Sequence, residues 1–218
     1  VKIHKHQLFC IPKILKNESN SQLFSFKEIG VKSESKEAEN YSAFTSKLLN
    51  IQTAKIEKLS TDLLRLPQDG ECIFLQTMQA FNAFTFVEYI ARLQFIEEVY
   101  ASTYSVNMRV LEALQEMQKL GRIGKINLLI SDSMQKRNPR VCDSLNAWAQ
   151  TCGVSIIYTW NHSKITLCKT EQGFYCIEGS GNWSENACYE QYTFVNSEEV
   201  FKLRKSLFEE CKVVFRIN

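Results

Sequence analysis

Residues 160–191 read WNHSKITLCKTEQGFYCIEGSGNWSENACYEQ, and most of the reading of this chain turns on them. Two apolar runs stand out, His162–Lys169 and Gly173–Gly179, each short enough for one strand. Between them Glu171-Gln172-Gly173 has the composition of a tight turn, so the pair reads as a hairpin. A third run, Glu190–Asn196, follows as another strand. Upstream, Val154–Thr159 is a strand preceded by a helix that begins at Pro139 and is closed by Gly153.

The alternation continues towards the N-terminus. Lys125–Ser131 (KINLLIS) is mostly apolar, as expected of a strand buried on both faces. Asn107 caps a helix that carries Val110, Leu111, Leu114 and Met117 on one side and stops at Gly121. Val99–Val106 reads as a strand, 84–98 as a helix, and Glu71–Thr77 as a strand. Downstream of the hairpin, Glu198–Cys211 is an amphipathic helix. Strands alternating with helices predict an α/β domain with a mixed central β-sheet covered by helices on both faces.

Residues 1–66 differ from this pattern and form an N-terminal extension, leaving 67–218 as the domain. Polar, charge-mixed stretches at 16–22 and 32–40 separate two short apolar pieces, 8–11 and 23–26, that suit edge strands. A helical pattern then runs over 41–66.

Composition narrows the class. Among 218 residues, 44% are hydrophobic and 11% aromatic, and only 3 are Pro and 8 Gly, so the chain can build a core. No run approaches the roughly 20 apolar residues of a membrane span. The opening residues turn polar too early for a signal peptide, which predicts a soluble, cytoplasmic protein without stable membrane insertion. The 8 cysteines include no C-x-x-C, and Cys168, Cys176 and Cys188 read as small core residues rather than zinc ligands. With 26 basic and 24 acidic residues, a polyanion-binding surface has to be local, not global.

The segment quoted above also carries chemistry. On a strand, His162 and Lys164 leave the same face, and an imidazole beside an ammonium suits convergence on an anion. Gly179-Ser180-Gly181-Asn182 supplies glycines that permit close backbone approach, and a hydroxyl and an amide able to bind phosphate oxygens. Glu190 is placed to accept a hydrogen bond from the imidazole and fix its tautomer. Trp160 and Trp183 flank the motif as core or interface aromatics, or as stacking platforms for bases, and Trp183 is counted with the substrate-binding residues. Lys136 and Arg137 lie in a basic loop suited to phosphate contacts.

His162-x-Lys164 followed by Gly179-Ser180-x-Asn182 resembles the HKD motif of the phospholipase D superfamily. The resemblance spans about residues 71–215 and implies a mixed sheet between helices. The family's Asp, which follows the motif lysine with four residues between them, corresponds here to Lys169. His4 and His6 lack a lysine two residues on, so the resemblance to single-motif members implies a homodimer that joins two copies of His162. It further implies a metal-independent phosphodiesterase with a phosphohistidine intermediate and no cofactor. His162 would act as nucleophile and acid, Lys164 and Asn182 would hold the phosphate, Ser180 would support them, and Glu190 would orient the ring. Nucleic acid is the expected substrate, DNA or RNA. The alternatives are phospholipid headgroup hydrolysis or transfer, and a catalytically weak nucleic-acid-binding protein.

Overall fold

The computed structural model describes Leu63 and residues 65–77, 82–184 and 189–217. The chain divides into two units, Val1–Ala54 and Lys55–Asn218, and the described residues belong to the second. The edge strands expected at 8–11 and 23–26, nearly all of the helix expected over 41–66, His4, His6 and Cys188 lie outside them.

Eight strands form one mixed sheet: β1 (Cys72–Thr77), β2 (Ile96–Thr103), β3 (Ile123–Ser131), β4 (Ser155–Thr159), β5 (Ile165–Thr170), β6 (Gly173–Gly179), β7 (Glu190–Asn196) and β8 (Phe215–Ile217), in the order β1-β7-β6-β5-β2-β3-β4-β8. The pairs β2–β3 and β3–β4 are parallel and every other pair is antiparallel. Five helices complete the described domain: α1 (Phe84–Leu93), α2 (Met108–Lys119), α3 (Met134–Arg137), α4 (Pro139–Cys152) and α5 (Glu198–Glu210). This is the mixed α/β sheet with helices on both faces that the sequence predicts.

Local signals fix several boundaries. The Asn107 side chain accepts the Val110 N–H at 2.9 Å and so caps α2. Pro139 opens α4, and Gly153 ends it in the left-handed region at φ 65°. The central strands are buried on both faces, and their alternating side chains sort into two layers. On one side Leu129, Ile157, Ile165, Leu167 and Cys176 pack against Phe201 and Phe208 of α5. On the other, Phe86 of α1 meets Tyr192 and Phe194 of β7, with ring centroids 5.0 and 5.5 Å apart. On that same side the Trp148 indole N–H bonds Gln118 at 3.1 Å and ties α4 to α2.

Four expectations need correction. The helix read over 84–98 ends at Leu93, where Gln94 turns extended and its side chain bonds Thr170 at 2.6 Å. Ile96 is then already in β2, paired with Ile123 and Thr170. The strand read from His162 begins only at Ile165, so His162 and Lys164 sit on the loop before β5. Lys136 and Arg137 belong to the short helix α3 instead of a loop. The strand β8 had no counterpart in the sequence reading. Cys142, Cys168 and Cys176 are buried and unpaired by disulfides, and burial pushes their thiols above the usual range.

Candidate active site

The C-terminal ends of β2, β3, β4 and β6 and the N-terminal ends of β5 and β7 meet along one edge of the sheet, as the pairing registers require. Here β2 runs parallel to β3 but antiparallel to β5, so the connectivity changes sense at the site. Crevices at such switch points are where open α/β sheets bind ligands.

Asn161 pins the loop between β4 and β5. Its buried amide donates to the Thr103 and Leu129 carbonyls, at 3.2 and 3.1 Å, and so reaches across the ends of β2 and β3. Its oxygen accepts the Ser163 N–H and hydroxyl at 2.9 and 2.7 Å. The Ser163 hydroxyl also meets Ser102 of β2. His162 is thus held between two fixed residues, with its own ring exposed.

The His162 ring rests on Tyr104, with centroids 5.0 Å apart. A second partner of Tyr104 is Arg137, whose guanidinium carbon is 4.1 Å from the phenol centroid. Arg137 also donates to the Tyr104 carbonyl at 3.1 Å and the Ser133 hydroxyl at 3.2 Å. Lys164 lies 3.2 Å from His162 Nδ1 and donates to the His162 carbonyl at 2.8 Å. A charged lysine can only donate, so Nδ1 accepts and the neutral ring carries its proton on Nε2. Partial burial lowers the Lys164 pKa, while Glu190 and then Tyr104 pull it back upward.

Ser180 and Glu190 are joined by a very short hydrogen bond from the hydroxyl to the carboxylate. The Ser180 hydroxyl also accepts the Gln191 N–H at 3.1 Å. Glu190, expected to orient the imidazole, accepts from Ser180 and raises the Lys164 pKa through its charge. The Asn182 oxygen accepts the Tyr104 N–H at 3.2 Å, which links the glycine-serine segment to the aromatic under His162. His162, Lys164, Ser180, Asn182 and Glu190 thus gather at one edge, through Tyr104 and the neighbouring ends of β5, β6 and β7.

One expectation fails. Trp183 is 1% exposed, its indole N–H bonds Thr166 at 2.9 Å, and its ring meets Phe84 edge-on, so it is a core residue with no face for substrate. Gly179 and Gly181 are small because of β7: a Cβ at either would strike Tyr192. Lys169 sits near the far end of β5, bonded to Glu97 at 2.7 Å, well away from His162. The sequence reading missed Tyr104, Asn161 and Ser163. The last two lie within the motif itself as short polar residues beside the histidine, the one signal available.

Among the described residues no group of three or more His, Cys, Asp or Glu is placed to hold a metal ion, and no helix is long and apolar enough to cross a membrane.

No family model and no curated protein matches the chain. Solved structures similar to it include TrmBL2, an archaeal chromatin protein with a novel mode of DNA binding, at 13% identity and a TM-score of 0.44, over 82% of this chain and 68% of that one. The phosphatidylserine synthase of Haemophilus influenzae Rd KW20 is similar at 10% identity and a TM-score of 0.47, over 66% of this chain and 40% of that one. The polyphosphate kinase of Porphyromonas gingivalis is similar at 14% identity and a TM-score of 0.45, over 68% of this chain and 27% of that one. The chain thus spans less than half the length of the latter two. Likenesses this distant assign no activity to this chain.

Proposed function

We propose that the chain is a phosphodiesterase of the phospholipase D type that acts on nucleic acid, with His162 as nucleophile. The observation that carries this reading is the gathering of His162, Lys164, Ser180, Asn182 and Glu190 at one sheet edge, from segments nearly 30 residues apart. An incoming phosphate draws Lys164 off His162. Nδ1 can then take the ring proton, and Nε2 is freed to attack.

In the first step Nε2 forms a bond to phosphorus as the ester P–O bond breaks. The leaving oxygen takes its proton from a second imidazole. In the second step water, deprotonated by that imidazole, forms a P–O bond and the P–N bond breaks. Each chain has one His-x-Lys, so the second imidazole belongs to the His162 of another copy, in a two-fold homodimer. Lys164 and the Asn182 amide meet the non-bridging oxygens, where charge grows. Glu190 sustains the Lys164 charge and anchors Ser180.

The test is hydrolysis of bis(p-nitrophenyl) phosphate, plasmid and single-stranded DNA in excess EDTA, with wild type beside His162→Ala. Turnover by the wild type alone is the expected result, together with a dimer by light scattering. Equal turnover by both proteins rejects His162 as nucleophile, and a fully active monomer rejects the shared site.

A further inference from the structure

Trp160 is 86% exposed, whereas Trp148 and Trp183 are buried. It stands two residues before His162, on the same edge of the sheet. The Asp132 N–H bonds the Thr159 carbonyl at 3.0 Å, which ties the loop leading into α3 to the residue directly before Trp160. The Thr159 hydroxyl bonds the Lys212 carbonyl, which ties the backbone of an exposed lysine to the same residue.

Several cations of the domain are neutralised by carboxylates. Arg65, Lys169, Lys202 and Arg204 each pair with a carboxylate. Lys136, Arg137 and Arg140 are all exposed and form no ion pair among the described residues, although Asp132 and Asp143 lie on the same stretch. Arg137 is fixed in place by neutral partners alone: the Tyr104 ring, the Tyr104 carbonyl and the Ser133 hydroxyl. A guanidinium that is positioned but not neutralised is prepared for an anion from outside.

We propose that Trp160 and Arg137 form a shelf for an unpaired nucleic-acid strand. A base stacks on the Trp160 indole, Arg137 holds a flanking phosphate with Lys136 and Lys212 nearby, and the adjoining phosphodiester is delivered to His162. This rests on the phosphodiester reading above and adds the substrate class. Stacking needs a free base face, which single strands offer and duplexes do not, and groove cations beside aromatic platforms are the usual means of holding such strands. An exposed guanidinium held by neutral partners alone matches a phosphate better than an apolar protein surface.

The experiment uses the full-length chain carrying His162→Ala, so that binding is read without cleavage. A single-stranded dT oligonucleotide and a duplex hairpin are titrated, followed by tryptophan emission and by anisotropy of the labelled strand. With the other two described indoles buried, quenching reports Trp160. The expected result is quenching by the single strand alone. Trp160→Ala then abolishes it and weakens binding about 5- to 150-fold, the range for one stacked base. Arg137→Gln is expected to flatten the salt dependence by about 0.7 in log–log slope, one phosphate contact on a single strand.

Unchanged affinity in Trp160→Ala overturns the shelf, as does equal, Trp160-dependent binding of the duplex. Loss of the dimer in Trp160→Ala with oligonucleotide affinity intact makes Trp160 an interface residue and also overturns it. His162-dependent hydrolysis of bis(p-nitrophenyl) phosphate by otherwise wild-type protein, without oligonucleotide binding, removes the shelf and leaves the phosphodiesterase. Trp160-dependent strand binding without any hydrolysis keeps the shelf and removes the enzyme.

Discussion

Gly179→Ala separates two reasons for a glycine beside Ser180. If the glycine exists to let a ligand approach, alanine abolishes turnover and leaves stability alone. The geometry argues for packing instead. Gly179 pairs with Tyr192 across β6 and β7, and a Cβ there would lie 2.6 Å from Tyr192 Cδ1 and run into the Gln191 carbonyl oxygen. That carbonyl accepts the Ser180 N–H at 3.1 Å, so it cannot withdraw without opening the end of the ladder. Nor can the phenol swing aside, since Tyr192 is 2% exposed and packed against Phe86. Neither Gly179 nor Gly181 has a positive φ, so backbone freedom is not the reason for either glycine.

Overpacking of this kind costs about 1–3 kcal/mol. For a chain of 218 residues each kcal/mol lowers Tm by about 2–4 °C, so Gly179→Ala is expected to melt about 2–12 °C below wild type. Gly181→Ala, whose Cβ would run into the hydroxyl of the same packed ring and lie 2.8 Å from its Cζ, is expected to lose a comparable amount. Calorimetric melts of both variants, with turnover measured on the same samples, decide the matter. A Gly179→Ala protein that melts with wild type but has lost turnover would refute the packing argument.

Three further outcomes follow from the site. Lys164→Met should lower turnover about 10²- to 10³-fold, as for removal of one oxyanion donor, without lowering Tm at pH 7. Burial depresses the Lys164 pKa, so its charged form opposes folding below that pKa; any Tm advantage of the variant should shrink as pH rises towards the ordinary 10.5, and melts at pH 7 and pH 10 test the sign. Asn161→Ala should cost about 1–3 kcal/mol in urea unfolding, because two strand-end carbonyls lose their donor, and should reduce kcat more than it raises KM. Inorganic phosphate should move the His162 ring proton from Nε2 to Nδ1 in ¹⁵N spectra of wild type, and should fail to do so in Lys164→Met, whose ring is never held by an ammonium.

The fold was legible because the central strands are apolar on both faces and the helices between them carry clean caps. Legibility failed where chain-local signals were missing. No Gly or Pro separates α1 from β2, so Leu93-Gln94-Phe95-Ile96 reads as continued helix until Ile96 finds Ile123 across the sheet. At His162 the polar alternation that suggests a strand comes from Asn161 and Ser163: the Asn161 side chain bonds backbone in place of a ladder, and the Ser163 hydroxyl bonds the Asn161 and Ser102 side chains. Trp183 looks like a platform beside the motif, yet its indole completes the core against Phe84. Tyr104 had no signal at all: it arrives from the end of β2, 58 residues before His162, and only the tertiary structure places it beneath the ring.

Tyr104 changes what the motif is able to do. Its ring meets both the His162 imidazole and the Arg137 guanidinium, so a single phenol connects the two. Its backbone N–H takes the Asn182 oxygen and its carbonyl takes Arg137, which orients the amide and the cation from the same residue. The groups suited to holding phosphate are therefore referred to one aromatic and not to one another. Such an arrangement keeps its geometry when Lys164 leaves His162 for a substrate oxygen, because none of the contacts around Tyr104 depends on that lysine. In the proposed reaction Lys164 is the part that moves and the contacts around Tyr104 are the part that stays, so release of His162 costs the frame nothing.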